Sequence, residues 1–108
     1  MLPIAQLEYL DMHGRSPFGS WRAELDAIAR ARVTTALRRL AYGNNSNVKS
    51  VGQGVSELKI AFGPGYRVYF GHDGIALVVL LAGGTKKRQQ QDIANAQGRW
   101  ADYKQRKR

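Results

Sequence analysis

The stretch of residues 52–84 constrains this chain most, because its apolar and polar residues alternate between turns marked by glycine. Residues 55–62 and 66–71 alternate with a period of two, which is typical of strands with one apolar face. Gly63-Pro64-Gly65 predicts the turn that joins them. Residues 75–81 are almost all apolar, so we expect a central strand that is buried on both faces.

Turn signals and shorter apolar runs complete the predicted sheet. Asp73-Gly74 favours a tight hairpin, and we expect Gly83-Gly84 to end the sheet. A short strand is predicted over residues 48–51, and a weaker one over residues 5–10. Since successive strands are joined by short turns, the sheet is expected to be antiparallel.

Helical spacing is found in two other regions. Ser16 before Pro17 is a helix start, and apolar residues, Ile28 among them, then recur at steps of three or four. This region is either one long helix or a helical hairpin, and a phase shift of the apolar stripe favours a hairpin broken near residues 29–32. A final helix is predicted after Thr85, with an apolar stripe of Ile93, Ala96, Trp100 and Tyr103.

These elements predict a single domain over residues 1–108 with an α+β fold, in which a helical hairpin and a C-terminal helix pack on one face of a small antiparallel sheet. No apolar run approaches the length of a membrane span, and the start of the chain lacks the pattern of a signal peptide. The absence of cysteine excludes disulfides and thiolate metal sites, and it is consistent with a cytoplasmic protein.

The charge of the chain is unevenly distributed. Its net charge is +9. Residues 84–108 hold eight basic and two acidic side chains, which gives +6, and the preceding residues contribute nine basic and six acidic ones. Such an excess favours nucleic acid, the ribosome, an anionic membrane or an acidic protein as a partner. A basic tail that only maintains solubility is the alternative.

Several kinds of chemistry are excluded by the residues present. His13 and His72 lie in predicted turns without metal-ligand spacing, and no Gly-x-Ser-x-Gly motif is found. The paired glycines join strand to strand, so they are not loops for a dinucleotide. No metal or other cofactor is therefore expected.

Two cations remain as candidates for binding. Lys59 and Arg67 fall on adjacent predicted strands, on either side of the turn at residues 63–65. If they share one face of the sheet, both side chains can reach a single phosphate. Alternatively, they are ordinary strand residues facing solvent, or they pair with Glu57 and Asp73.

The segments GVSELKIAFGPGYRVYF and GGTKKRQQQDIANAQGRW, with the apolar strand between them, resemble the RelE/HigB/ParE superfamily of type II toxins. The resemblance is to the branch of phage-derived addiction module killer proteins, and it covers residues 52–103. It implies a RelE-like fold and a metal-independent endoribonuclease that cleaves mRNA at the ribosome and so inhibits translation. In that reaction the ribose 2′-hydroxyl attacks the adjacent phosphate.

The resemblance also implies roles for particular residues. Arg67 would bind the scissile phosphate, Lys59 matches one of two strand lysines, and Lys86 falls where the family has a basic residue. Glu57 stands at the second lysine position and departs from the family, so it is either a general base or a partner of Lys59. Asp92 lies near the position of a family tyrosine. It is either catalytic or a first-turn acid favoured by the helix dipole.

RNA contacts and partners complete the expectations. Lys87 and Arg88 are expected to contact RNA, and Tyr69 is a candidate for stacking on a base, whereas Tyr66 is expected in the core. The implied partners are a cognate antitoxin, the ribosome and mRNA, with operator DNA reached only through the antitoxin and no membrane. The alternatives are a ParE-like inhibitor of gyrase without enzymatic activity and a protein that binds RNA or antitoxin without cleavage.

Overall fold

The computed structural model describes residues 2–107. Its strands are β1 (Ala5–Glu8), β2 (Val48–Ser50), β3 (Val55–Ile60), β4 (Tyr66–His72) and β5 (Leu77–Thr85). Its helices are α1 (Pro17–Ala23), α2 (Ala27–Ala41) and α3 (Gln89–Lys107), and a 3-10 turn over Lys86–Arg88 leads into α3. The strands form one sheet in the order β1-β5-β4-β3-β2.

The sheet is mixed. Strands β2 to β5 pair with their neighbours in antiparallel fashion, as predicted, but β1 pairs in parallel with β5. The parallel pair arises because α1 and α2 follow β1 and carry the chain across the sheet to the opposite edge. The predicted α+β class is confirmed, and the first strand is the one departure from an antiparallel sheet.

The helical region is a hairpin, but its break lies at residues 24–26 and not near residues 29–32. Asp26 caps α2, since its Oδ1 accepts a hydrogen bond of 2.8 Å from the backbone N–H of Ala29. A cap of this kind satisfies a donor that the helix leaves unpaired. Because α2 starts there, Ile28 lies on its outer face and is exposed, contrary to the predicted stripe.

Helices cover both faces of the sheet, where the sequence predicted only one. On one face, side chains of α1 and α2 pack against β3, β4 and β5; this core contains Phe18, Val33, Leu37, Leu40, Leu58, Ile60, Val68, Phe70, Val78 and Leu80. On the other face, Ala96 and Trp100 of α3 pack against Val55, Tyr69, Val79, Leu81 and Ala82. The polar face that the alternation predicted is therefore largely covered by α3.

Gly83 and Gly84 continue β5 and do not end the sheet. A Cβ at Gly83 would overlap the ring of Trp21, and a Cβ at Gly84 would overlap the carboxylate of Asp92. Because successive strand residues face opposite sides of a sheet, the two glycines admit one side chain from each helical layer. Their role is close packing.

Hydrogen bonds from two tyrosine hydroxyls hold the last turns of α3 against the rest of the protein. Tyr9 donates a hydrogen bond of 2.6 Å to Oδ2 of Asp102, and Tyr103 donates one of 2.7 Å to Oδ2 of Asp73. The hydrogen bond from Tyr9 lowers the pKa of Asp102, and Lys107 pairs with Asp73. Asp73 is thus engaged with α3 and is not a partner of Lys59 or Arg67.

We expect Gly83→Ala to lower the free energy of unfolding by about 1–3 kcal/mol, because the added methyl group displaces the Trp21 ring from the sheet. Urea denaturation followed by circular dichroism measures the loss. Gly98→Ala is the matched control, since nothing lies within 4 Å of its Cβ position in α3, and it should stabilise the protein by about 0.5–1 kcal/mol. Equal effects of the two substitutions would contradict the packing role of Gly83.

Candidate functional site

Lys59 and Arg67 lie directly opposite each other on β3 and β4. Both are in phase with Tyr69, which packs in the core beneath α3, so their side chains share that face of the sheet. The predicted shared face is therefore confirmed. Lys59 is exposed, whereas Arg67 is only 7% exposed. One cation is open to solvent and the other is buried.

Glu57 is the partner that holds Arg67. It is 1% exposed, and its Oε1 lies 3.7 Å from Nε of Arg67 and 3.8 Å from Nζ of Lys49. Its Oε2 accepts a hydrogen bond of 2.9 Å from Nε2 of Gln89. A buried carboxylate needs such compensation. Glu57 pairs with Lys49 and Arg67, and the predicted alternative of a pair with Lys59 is wrong.

The guanidinium of Arg67 retains unused donors. Its Nη1 donates to the carbonyl oxygen of Gly65 at 3.3 Å, and its buried Nε has no hydrogen-bond partner among residues 2–107. The 3.7 Å separation from Glu57 is an ion pair but is too long for a hydrogen bond. The carboxylate therefore positions the cation without saturating it.

Two shallow depressions meet at Lys59 and Arg67. One, of about 360 Å³, lies by the turn between β3 and β4 and includes Lys86. The other, of about 320 Å³, lies towards β2 and includes Lys49 and Glu57. We call the first depression, with Lys59, Arg67 and Lys86 in its wall, the basic pocket. Its three cations come from β3, β4 and the 3-10 turn, and their positive charges reinforce one another and attract anions.

Tyr69 does not offer its ring for stacking. Its side chain is completely buried beneath α3, so the expectation that it stacks on a base is corrected. Its hydroxyl has no hydrogen-bond partner among the described residues. Burial, reinforced by the negative charge of Glu57, raises the pKa of Tyr69 well above its usual range. Tyr66 lies on the opposite face and packs near Trp21, as predicted.

Asp92 lies in the first turn of α3, beside the basic pocket. Its carboxylate packs against Gly84, the residue that pairs with Arg67 across β4 and β5. Burial raises the pKa of Asp92, and the positive charges of Arg88 and Arg99 oppose that rise. Within residues 2–107 it forms no ion pair, so its position is set by packing on the glycine.

The basic residues after β5 divide into two groups. Lys86, Lys87 and Arg88 form the 3-10 turn, and all three are exposed. Only Lys86 lines the basic pocket. Thr85 caps this turn, as expected, because its Oγ1 accepts from the N–H of Lys87 at 3.4 Å. Lys87 and Arg88 remain exposed cations at the start of α3.

Two residues of the site were not predicted from the sequence. Lys49 lies opposite Glu57 on β2, and correct pairing of the predicted strands would have placed it there. Gln89 follows Glu57 by 32 residues, and no local pattern links the two.

Among residues 2–107, no group of three or more His, Asp and Glu side chains is placed to hold a metal ion. No helix in the described part of the chain is long and apolar enough to cross a membrane.

Residues 20–101 match the protein family described as phage derived protein Gp49-like. The chain belongs to this family. The Gp49-like proteins are toxin-like proteins of addiction modules. An uncharacterized protein of Haemophilus influenzae is 42% identical over 80 residues, which cover 73% of this chain and 81% of the relative. Residues 20–101, which match the family, include the whole basic pocket and Asp92.

Burial of Asp92 has a consequence for stability. Folding raises the pKa of Asp92, because burial disfavours the ionised carboxylate. The contribution of Asp92 to the free energy of unfolding therefore falls as the pH rises from its pKa in the unfolded chain to its pKa in the folded protein. We expect Asp92→Asn to gain stability relative to the parent as the pH rises from about 3 to about 7. Urea denaturation at each pH measures the difference.

The control for this experiment is Glu24→Gln, which also replaces a carboxylate by the corresponding amide but lies at an exposed position between α1 and α2. Its stability relative to the parent should not show the rise seen for Asp92→Asn. A difference between Asp92→Asn and the parent that is independent of pH would contradict burial as the cause.

Proposed function

We propose that this protein is the toxin of a toxin–antitoxin pair and that it acts as an endoribonuclease, cleaving mRNA without a metal ion. The observation that carries the proposal is Arg67, a buried guanidinium positioned by Glu57 in the wall of a pocket that also contains Lys59 and Lys86. The family supports the role of a toxin. Cleavage of mRNA is the activity that this cation set fits best.

The chemistry needs no group beyond those of the chain and the RNA. The 2′-hydroxyl attacks the adjacent phosphorus, the bond from phosphorus to the 5′-oxygen breaks, and a 2′,3′-cyclic phosphate and a 5′-hydroxyl result. Negative charge builds on the non-bridging oxygens in the transition state. Arg67, Lys59 and Lys86 would stabilise it, and a cation fixed in advance is effective because it needs no reorganisation.

We assign proton transfer to Glu57, which pairs with Arg67, and to Asp92, which packs against the strand neighbour of Arg67. Glu57 would accept the proton of the 2′-hydroxyl, since Gln89 holds one of its oxygens and the other lies towards Arg67. Asp92, with its raised pKa, is our candidate for the proton donor to the 5′-oxygen. Lys87 and Arg88 would attract the RNA backbone to the start of α3.

The family implies an antitoxin as partner. We propose that an acidic segment of the antitoxin covers the basic pocket and neutralises it. The mRNA would be cleaved at the ribosome, in the cytoplasm, and operator DNA would be reached only through the antitoxin.

We expect Arg67→Ala to reduce cleavage about 10²–10³-fold, which is the cost of removing one preorganised donor to a developing oxyanion. Lys59→Gln should reduce cleavage less, because Lys59 is exposed and its charge is screened by salt. Primer extension on mRNA from a translation reaction measures cleavage at each site. Lys104→Gln, which removes one charge from the far part of α3, is the control and should cleave as the parent does.

These variants also separate the alternatives. Arg67 is buried, so the fold of Arg67→Ala is first checked by circular dichroism, whereas Lys59→Gln changes only an exposed side chain. If a folded Arg67→Ala variant stops growth as strongly as the parent does, the proposed activity is wrong. DNA breaks in induced cells, without cleaved mRNA, would identify a gyrase inhibitor instead.

Glu57→Gln tests the assignment of the base. The amide is isosteric and keeps a partner for Gln89 but cannot accept a proton, so we expect cleavage to fall about 10²–10⁴-fold. Circular dichroism first checks that the variant is folded, because the change leaves the buried Arg67 without its carboxylate partner. If the folded variant cleaves mRNA as the parent does, the assignment of Glu57 as the base is wrong.

A further inference from the structure

A third depression adjoins the basic pocket on the side of α2. It has a volume of about 420 Å³, and it shares Lys59, Ala61 and Phe62 with the basic pocket. Arg32 and Arg39 of α2 form its opposite wall. We call this depression the α2 groove. It is continuous with the basic pocket through Lys59, so an extended ligand can occupy both.

The charges of the α2 groove are uncompensated within the described chain. Arg32 and Arg39 form no ion pair with any of residues 2–107, and none of the residues lining the groove is acidic. Their spacing of seven residues places them on the same side of α2, about 10 Å apart along its axis. The groove therefore presents two separated cations to a ligand, which suits successive phosphates better than one small anion.

The groove also has a flat surface. The guanidinium of Arg32 lies over the ring of Phe62, with its carbon 4.5 Å from the ring centroid. Phe62 is half-buried, so part of this stack remains accessible. The amide groups of Asn44 and Asn47, from the loop after α2, line the same groove. Aromatic and guanidinium planes stack on unpaired bases, and amides bond to base edges.

We propose that the α2 groove binds single-stranded RNA next to the scissile phosphate, with a base against Arg32 and Phe62 and the backbone along Arg39. This inference rests on the proposed function, because it takes the basic pocket as the place of cleavage. An acidic protein segment would pair with the two arginines but would make no use of the stacking surface. The stacking surface, the amides and the continuity through Lys59 favour RNA as the occupant.

The test compares two double variants of equal charge. Arg32→Gln/Arg39→Gln removes both cations of the groove. Arg15→Gln/Arg38→Gln is the control, since Arg15 lies in an exposed turn and Arg38 is an exposed residue of α2 that does not line the groove. The probe is a labelled 2′-O-methyl RNA of ten nucleotides, which binds but cannot be cleaved because its 2′-hydroxyls are blocked. Fluorescence anisotropy gives the affinity at several salt concentrations.

We expect the groove variant to reduce the slope of log affinity against log salt by about 0.7, since each phosphate contact on a single strand contributes about 0.7 and Arg39 is the residue that follows the backbone. The control variant should keep the slope of the parent. Phe62→Leu should weaken binding about tenfold with an unchanged slope, because it removes stacking without removing charge. Thermal unfolding verifies that each variant is folded.

The outcomes separate this inference from the proposed function. Equal slopes for the groove variant and the control would overturn the inference, even if Arg67→Ala abolishes cleavage. An effect of the groove variant on antitoxin binding with none on RNA binding would also overturn it and would assign the groove to the protein partner. Undiminished cleavage by Arg67→Ala would refute the proposed function. In that case the salt dependence of RNA affinity would still show whether RNA binds in the α2 groove.

Discussion

The buried pair of Glu57 and Arg67 is the interaction on which the arrangement of the site depends. Both side chains lie beneath α3, where an unpaired charge is costly, and loss of one partner of such a pair typically destabilises a protein by about 3–5 kcal/mol. The pair joins β3 to β4, and Gln89 joins it to the start of α3. Strand pairing, helix docking and the direction of the guanidinium are therefore coupled.

The second helical layer determines where a ligand can reach this pair. Trp100 and Ala96 of α3 cover the middle of the sheet, and the pair is reached from two depressions, one at the turn between β3 and β4 and the other towards β2. Burial near the end of the strands lowers the effective dielectric around Arg67, while the part of its side chain that lines the basic pocket faces an incoming anion. A wholly exposed arginine would lose much of its effect to salt.

The parts of this structure that follow local rules could be predicted from sequence. Alternation with a period of two located β3 and β4, and the short turn placed Lys59 and Arg67 on neighbouring strands within two residues of register. The structure pairs them directly. The covering of the second face could not be predicted, because the apolar stripe of α3 does not reveal which side of the sheet it meets. The position of the helix break was predicted wrongly because its signal is the single capping carboxylate of Asp26. The role of Gln89 was not predicted because its hydrogen bond to Glu57 joins residues that are 32 positions apart in the chain.

The position of α3 in the chain has a consequence for the order in which the site is assembled. Arg67 and Glu57 precede the residues that enclose them, since Gln89, Asp92 and Trp100 all belong to the helix that follows the sheet. A chain that lacks α3 also lacks the residues that cover the pair of Glu57 and Arg67. Completion of the enclosed site therefore requires the synthesis and docking of a helix that is encoded after every strand of the sheet.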